Sequence, residues 1–362
     1  AEALIGIGEE EEATNLLEYL KYDAPPEQMS DILLIEALIY DRNEQYELMF
    51  YTLRSAVLSD PSNEEAISRL AFATSHTKKY KESIELYESL LERDAYLPVA
   101  WYNLAQARTY EGEYELAIEA YEYAFAIEDA FLPAIRDCAE LCMELSMYHR
   151  ALKHYLELLE LQGADADGEL YYQIGQCYVQ MNRPQAAATY FLYASRLEPL
   201  NEDIFFQLGN CYAMEDQWSN AVYYFEKALD IDPDQDEFHA ALAEAHFHLQ
   251  NHEEAIQCME EALLLNDMEV RYWVLMATFL IDNGEEEEAL ALLEEGGDTV
   301  PGTELLYCRV ACLFATGRRQ EACQRLAEAL SEDFDMHYSL FELLPELELD
   351  PDVQSLIAIY TI

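Results

Sequence analysis

The stretch LGNCYAMEDQWSNAVYYFEKALDIDP, from Leu208 to Pro233, has a near copy thirty-four residues earlier, IGQCYVQMNRPQAAATYFLYASRLEP, from Ile174 to Pro199. A catalytic motif stands once in a chain, whereas a pattern returning at a fixed interval is architectural. The period is anchored by one small or apolar residue, at Ala13, Met49, Ser83, Ala117, Ala151, Ala187, Ala221, Ala255, Ala289 and Ala322. Six of the nine steps between these anchors are 34 residues, and the others are 36, 36 and 33.

Each copy carries the marks of a helical hairpin. A small or apolar pair precedes the anchor by twelve to thirteen residues, as at Leu104/Ala105, Ile174/Gly175, Leu208/Gly209, Leu242/Ala243 and Met276/Ala277. A large residue stands about three positions before the pair: Trp101, Tyr171, Phe205, His239, Trp273 and Tyr307. Four residues after the anchor comes a bulky apolar or aromatic residue, such as Tyr87, Tyr121, Phe191 or Phe225, and three further on a small one, such as Ala124, Ala194 or Ala228. Spacings of three, four and seven place these residues on one stripe of each helix. The connections YEGEY, MNRPQ, MEDQW and DNGEE are polar, and Pro25, Pro61, Pro199 and Pro233 close units. One hairpin cannot bury its stripe alone, so neighbours must stack.

The pattern W-x2-L-(G/A)-x2-Y…A-x3-(F/Y)-x2-A…P resembles the tetratricopeptide repeat over nearly the whole chain. The resemblance implies an all-α fold, an α-α superhelix built as a right-handed solenoid of helical hairpins. Residues 1–29 read as a partial hairpin and linker, 30–336 as nine repeats and 337–362 as a C-terminal cap. Leu4 falls at the close of a first helix, so the natural protein is expected to extend upstream by at least one helix. The ending LPEL…DP…LI is similar to tails of tetratricopeptide proteins from Bacteroides-like bacteria. Leu340, Phe341, Leu343 and Leu344 are expected to pack on the last hairpin, and Asp350-Pro351 to open a final helix.

In this family the first helices line a concave groove. The matching positions are Tyr102, Gln106 and Thr109; Arg136, Glu140 and Met143; Tyr172, Gln176 and Val179; Phe206, Asn210 and Ala213; then Ala240, Glu244 and Phe247, with Asn103, Gln173 and Gln207 beside them. Amides bond a peptide backbone and rigid aromatics supply contact area at low entropic cost. The resemblance therefore implies a protein-interaction scaffold holding a peptide or helix of a partner protein, with some of the rings packing between repeats instead. The rival is an assembly subunit that meets others through its acidic convex surface. A clamp for an acidic chaperone tail fits poorly: Asn210 and Arg271 stand at clamp positions, but Phe206, Ala241 and Leu275 occupy the others.

Charge narrows the partner. With 73 acidic against 20 basic residues the net charge is −53, which repels nucleic acid and anionic membranes and steers basic peptides inward. No apolar run is long enough for a membrane span. The eight cysteines form no disulfide framework. Cys138/Cys142 and Cys308/Cys312 share helix faces, and free buried thiols are expected, as in a reducing, cytoplasmic compartment. No cofactor or metal is expected. His248 and His252 have metal-compatible spacing, but His239 and His246 fill large-residue positions of the repeat. The runs Glu9–Glu12 and Glu285–Glu288 suit helix starts, where carboxylates complement the helix dipole. No Gly-rich phosphate loop, GxSxG elbow or HExxH is present, so catalysis is not expected.

Overall fold

The anchors and apolar stripes are paired off in a computed structural model that describes residues 1–22, 24–296 and 302–360. Asp23, residues 297–301 and residues 361–362 of the three expected segments lie outside the described residues. Twenty-two α-helices follow one another, and no strand occurs among the described residues.

The chain divides into two units. The first, Ala1–Ala166, opens with Glu2–Ile7 and Glu10–Lys21 and continues through the hairpins Pro26–Arg42/Tyr46–Ser59, Glu64–Thr77/Tyr80–Leu91, Pro98–Glu111/Tyr114–Ile127 and Leu132–Glu144/Tyr148–Gln162. The second, Asp167–Ile362, contains Gly168–Gln180/Pro184–Leu197, Glu202–Ala213/Trp218–Ile231, Asp236–His248/His252–Leu265, Val270–Asp282/Glu286–Gly296 and Thr303–Ala315/Arg319–Glu332, then Tyr338–Leu343 and Pro351–Tyr360.

All ten anchors are buried. Nine are apolar; the tenth, Ser83, satisfies its hydroxyl with Thr74 Oγ1 at 2.7 Å, which in turn donates to Leu70 O. The bulky residues four positions on are buried as well, from Leu53 and Tyr87 to Leu293 and Leu326. Small residues on the first helix make room for them. A Cβ added to Gly209 would lie 2.4 Å from the Phe225 ring, so only glycine admits a phenylalanine at that distance.

The turn within each hairpin is a second periodic feature. One residue with positive φ recurs at Gly8, Glu44, Lys78, Gly112, Ser146, Asn182, Asp216, Gln250, Gly284 and Gly317. Each lies five residues before its anchor. These residues end the first helix in the left-handed conformation, and the next backbone N–H reaches back over the last turn, as from Glu113 to Arg108 O at 2.9 Å and from Gln217 to Tyr212 O at 2.9 Å. Extra length goes elsewhere. One 36-residue interval contains the longer helix Pro26–Arg42; the other contains the short 3-10 turn Gly163–Asp165.

The large residue at the start of each first helix is also held in a repeating way. Trp101 Nε1 donates to Ala95 O at 2.9 Å, Trp273 Nε1 to Asp267 O at 2.8 Å, and His239 Nε2 to Pro233 O at 2.9 Å, in every case six residues back. Tyr307 departs from this expectation. The 33-residue step shifts the register by one, so Tyr307 turns into the core and donates to Asp333 O at 2.7 Å. The closing segment packs on the last hairpin: Leu340, Leu347, Val353 and Ile357 join Tyr307 and Leu326 in one cluster, with Phe341 and Leu343 at its margin. Asp350 caps the last helix, accepting from Val353 N at 3.2 Å, while Arg319 donates to both of its carboxylate oxygens at 2.7 Å.

Candidate peptide-binding grooves

The concave positions of the first unit meet along the first helices of two successive hairpins. Ser68, Phe72 and Ser75 project from Glu64–Thr77, and Tyr102, Gln106 and Tyr110 from Pro98–Glu111. Phe131 and Pro133 close one end and Tyr80 the other, around an open cavity of about 490 Å³. Tyr80 and Tyr110 stack with ring centroids 4.7 Å apart, and Phe131 meets Tyr102 edge-on at 5.3 Å. One hydrogen-bonded network orders the floor. Tyr102 donates to Asp137 Oδ2 at 2.8 Å, and the Gln106 amide reaches both the Tyr102 hydroxyl at 2.9 Å and Asp137 Oδ2 at 3.3 Å. Burial pushes the Asp137 carboxyl above the ordinary aspartate range, against these bonds, and burial raises Tyr102 as well.

The second unit has a smaller groove of about 340 Å³, lined by Phe206, Asn210, Ala213, Trp218, Glu244 and Arg271 among others. Its chemistry differs: Arg271 and Glu244 form an ion pair on its wall.

The expected groove residues separate into classes. Tyr102, Gln106 and Asn210 line cavities. Asn103 does not present its amide to the groove as the register implies. It is 4 % exposed, and its Nδ2 donates to Ile67 O at 2.9 Å on the preceding hairpin. The position after Tyr102 on a helix points about a quarter-turn away, toward the neighbouring repeat. Phe206 is likewise buried rather than exposed, stacked on Phe238 at 4.4 Å, so it forms a floor and not a rim. Tyr172 is half-buried against Phe191 and accepts from Gln176 Nε2 at 2.9 Å, while Gln173 is taken up by Glu169 of its own helix at 2.6 Å. Arg136 and Gln207 are half-buried on their first helices. Ser68, Phe72 and Ser75 were missed, although they stand thirty-four residues before Tyr102, Gln106 and Thr109 and the same offset finds them. Tyr87 and Asp137 carried no such signal.

The other singled-out residues have packing roles. His248 stacks on Trp218 with centroids 3.9 Å apart, and His246 Nδ1 lies 3.3 Å from the Asn251 amide. Among the described residues no group of three or more His, Cys, Asp or Glu is arranged to hold a metal ion. All eight cysteines are free, six of them buried; burial pushes the Cys308 and Cys312 thiols up to about 12. No described helix is long and apolar enough to cross a membrane.

Stacked helical hairpins around open grooves define an all-α superhelical repeat protein of the interaction-scaffold class. The chain belongs to the tetratricopeptide repeat family: the family's model matches residues 77–132 and 172–236. A model of subunit 3 of the anaphase-promoting complex, or cyclosome, matches residues 214–296. Protein FlbA of Caulobacter vibrioides is 27 % identical over 129 residues, a match spanning 31 % of this chain and 22 % of that relative's length. Among solved structures, the C-terminal part of a TPR repeat-containing protein from Cytophaga hutchinsonii superposes with a TM-score of 0.55 at 15 % identity, over 66 % of this chain and 97 % of that one. A tetratricopeptide repeat protein from Parabacteroides merdae gives a TM-score of 0.44 at 15 % identity, over 70 % and 99 % of the two chains.

Proposed function

We propose that the chain is a non-catalytic scaffold that holds an extended peptide or helix of a partner protein in its grooves, principally that of the first unit. The observation carrying this reading is the unfilled cavity over the Tyr102–Gln106–Asp137 network. Its polar groups are held by each other, so they are pre-oriented and lose little freedom on binding. Apolar rings beside them supply the area a peptide needs. A second reading rests on the net charge of −53: the outer surface meets a basic partner by long-range attraction.

The two readings part in one experiment. Proteins retained by the immobilised chain from lysate of its source organism are compared with those retained by Ser68→Trp, at low and high salt. Ser68 is exposed on the groove wall, so the bulky residue obstructs the cavity without entering the core. Partners kept in high salt and lost with Ser68→Trp support groove binding. Partners indifferent to the substitution and released by salt overturn it in favour of the acidic surface.

A further inference from the structure

The first groove is chemically unlike the surface around it. In a chain of net charge −53, none of its fifteen lining residues is ionised. The nearest carboxylate, Asp137, is occupied by Tyr102 and Gln106. Seven of the fifteen lining residues carry a hydroxyl, and rings from Phe72, Tyr110 and Phe131 form much of the remainder. A charged side chain entering here would lose its hydration with no opposite charge to meet it. An aromatic ring would find ring edges and faces. One polar group in the wall is also left over. Tyr87 is 1 % exposed, lines the cavity, and its hydroxyl has no hydrogen-bond partner, since the neighbouring Asn103 amide is committed to Ile67 O. Burial pushes this hydroxyl up, so it stays protonated and remains a donor. Buried hydroxyls are seldom left unpaired, which marks the wall as incomplete without a ligand.

We infer that the first-unit groove is a pocket for a tyrosine side chain of the partner segment, its ring among Phe72, Tyr110 and Phe131 and its hydroxyl answering Tyr87. This rests on the groove-binding reading above and gives it a specificity: neutral, aromatic and hydroxyl-bearing, in place of the basic partner that net charge alone suggests.

The test begins with a displayed library of random twelve-residue peptides, selected on the intact chain and counter-screened on Ser68→Trp. The expected peptides share one tyrosine and bind equally at low and high salt. Replacing that tyrosine by phenylalanine is expected to weaken binding about three- to tenfold, the range of one hydrogen bond. On the Tyr87→Phe chain the same replacement is expected to change little. Replacing it by lysine is expected to abolish binding. Thermal melting of Tyr87→Phe alone provides the folding control, and a midpoint at or above that of the parent is expected because the hydroxyl lost had no partner. Peptides that are sensitive to Ser68→Trp but anchored by Lys, Arg, Asp or Glu overturn the tyrosine pocket and leave groove binding standing. An equal phenylalanine penalty on both chains overturns the role of Tyr87. Enrichment of no peptide sensitive to Ser68→Trp overturns the pocket together with the groove reading beneath it.

Discussion

Two residues show how closely single side chains are held. Gly209 exists because Phe225 lies where its Cβ would be. Gly209→Ala is expected to destabilise the chain by ~1–3 kcal/mol, the usual cost of overfilling a packed site, with recovery in the double variant carrying Phe225→Leu. Urea unfolding of the four-member cycle measures this, and additive costs would refute the contact. His154 is the second case. It is 1 % exposed, its Nε2 stands 3.4 Å from Glu122 and its Nδ1 3.6 Å from Glu157, yet neither nitrogen makes a hydrogen bond. Burial lowers its pKa, with Lys153 acting in the same direction and Glu122 and Glu157 against it. The folded chain therefore holds the proton less tightly than the unfolded one. Stability contributed by the neutral ring is present above the unfolded pKa of about 6.5 and is lost as pH falls below it. Melting temperatures of the parent and His154→Phe, followed from pH 7.5 to 5.5, are expected to diverge, the parent losing more. Parallel curves would show that His154 does not titrate against burial. Neither case was fully legible in the sequence: the small residue at Gly209 follows from the repeat, but the orphaned nitrogens of His154 require knowing what surrounds them.

At the scale of the element, the hairpin turn is where sequence and backbone disagree. The left-handed residue is glycine at 112, 284 and 317, but Glu44, Lys78 and Gln250 adopt the same conformation despite their side chains. Left-handed backbone costs a residue with a Cβ roughly 1 kcal/mol relative to glycine. Glu44→Gly, Lys78→Gly and Gln250→Gly are each expected to stabilise the chain by about that amount, and Gly112→Ala to destabilise it similarly. Unchanged melting midpoints for the glycine variants would count against the argument. The helices themselves were readable, because anchor, bulky residue and small residue repeat at helical spacings. The turn conformation was readable only where glycine announced it. The groove was half readable for a related reason. A fixed offset along a helix finds Tyr102 and Gln106, but the residue beside them, Asn103, faces the preceding hairpin, and a list of offsets from one helix does not contain the neighbour. Asp137 belongs to the groove network only because a second helix carries it there.

For the whole molecule, charge and packing act in opposite directions. An excess of 53 negative charges repels itself in the folded state more than in the expanded one. Many ion pairs of the described residues are exposed, as Arg69–Glu65 and Arg325–Glu328 are, and pairs of this kind contribute little. Raising sodium chloride from about 10 to 300 mM shortens the screening length from roughly 30 Å to under 10 Å. The melting temperature is therefore expected to rise over that range, whereas a fall would mean that attractive pairs dominate the surface. The same balance bears on recognition. A groove without ionised lining, within so acidic a chain, keeps its contacts short-ranged, so salt that stabilises the fold should leave affinity at the first groove unaltered.

The ten left-handed turns stand at one constant distance from the anchors, while both two-residue extensions lie in stretches joining one hairpin to the next. The architecture thus has one kind of joint that tolerates editing and one that does not. Insertions at joints such as Gly163–Asp165 shift later hairpins without altering any of them, whereas an insertion between Gly112 and Ala117 would put the anchor on the wrong face of its helix. A lineage of such chains can lengthen, shorten or acquire grafted loops at the first kind of joint alone, and a fluorescent or affinity tag intended to leave the grooves intact belongs there.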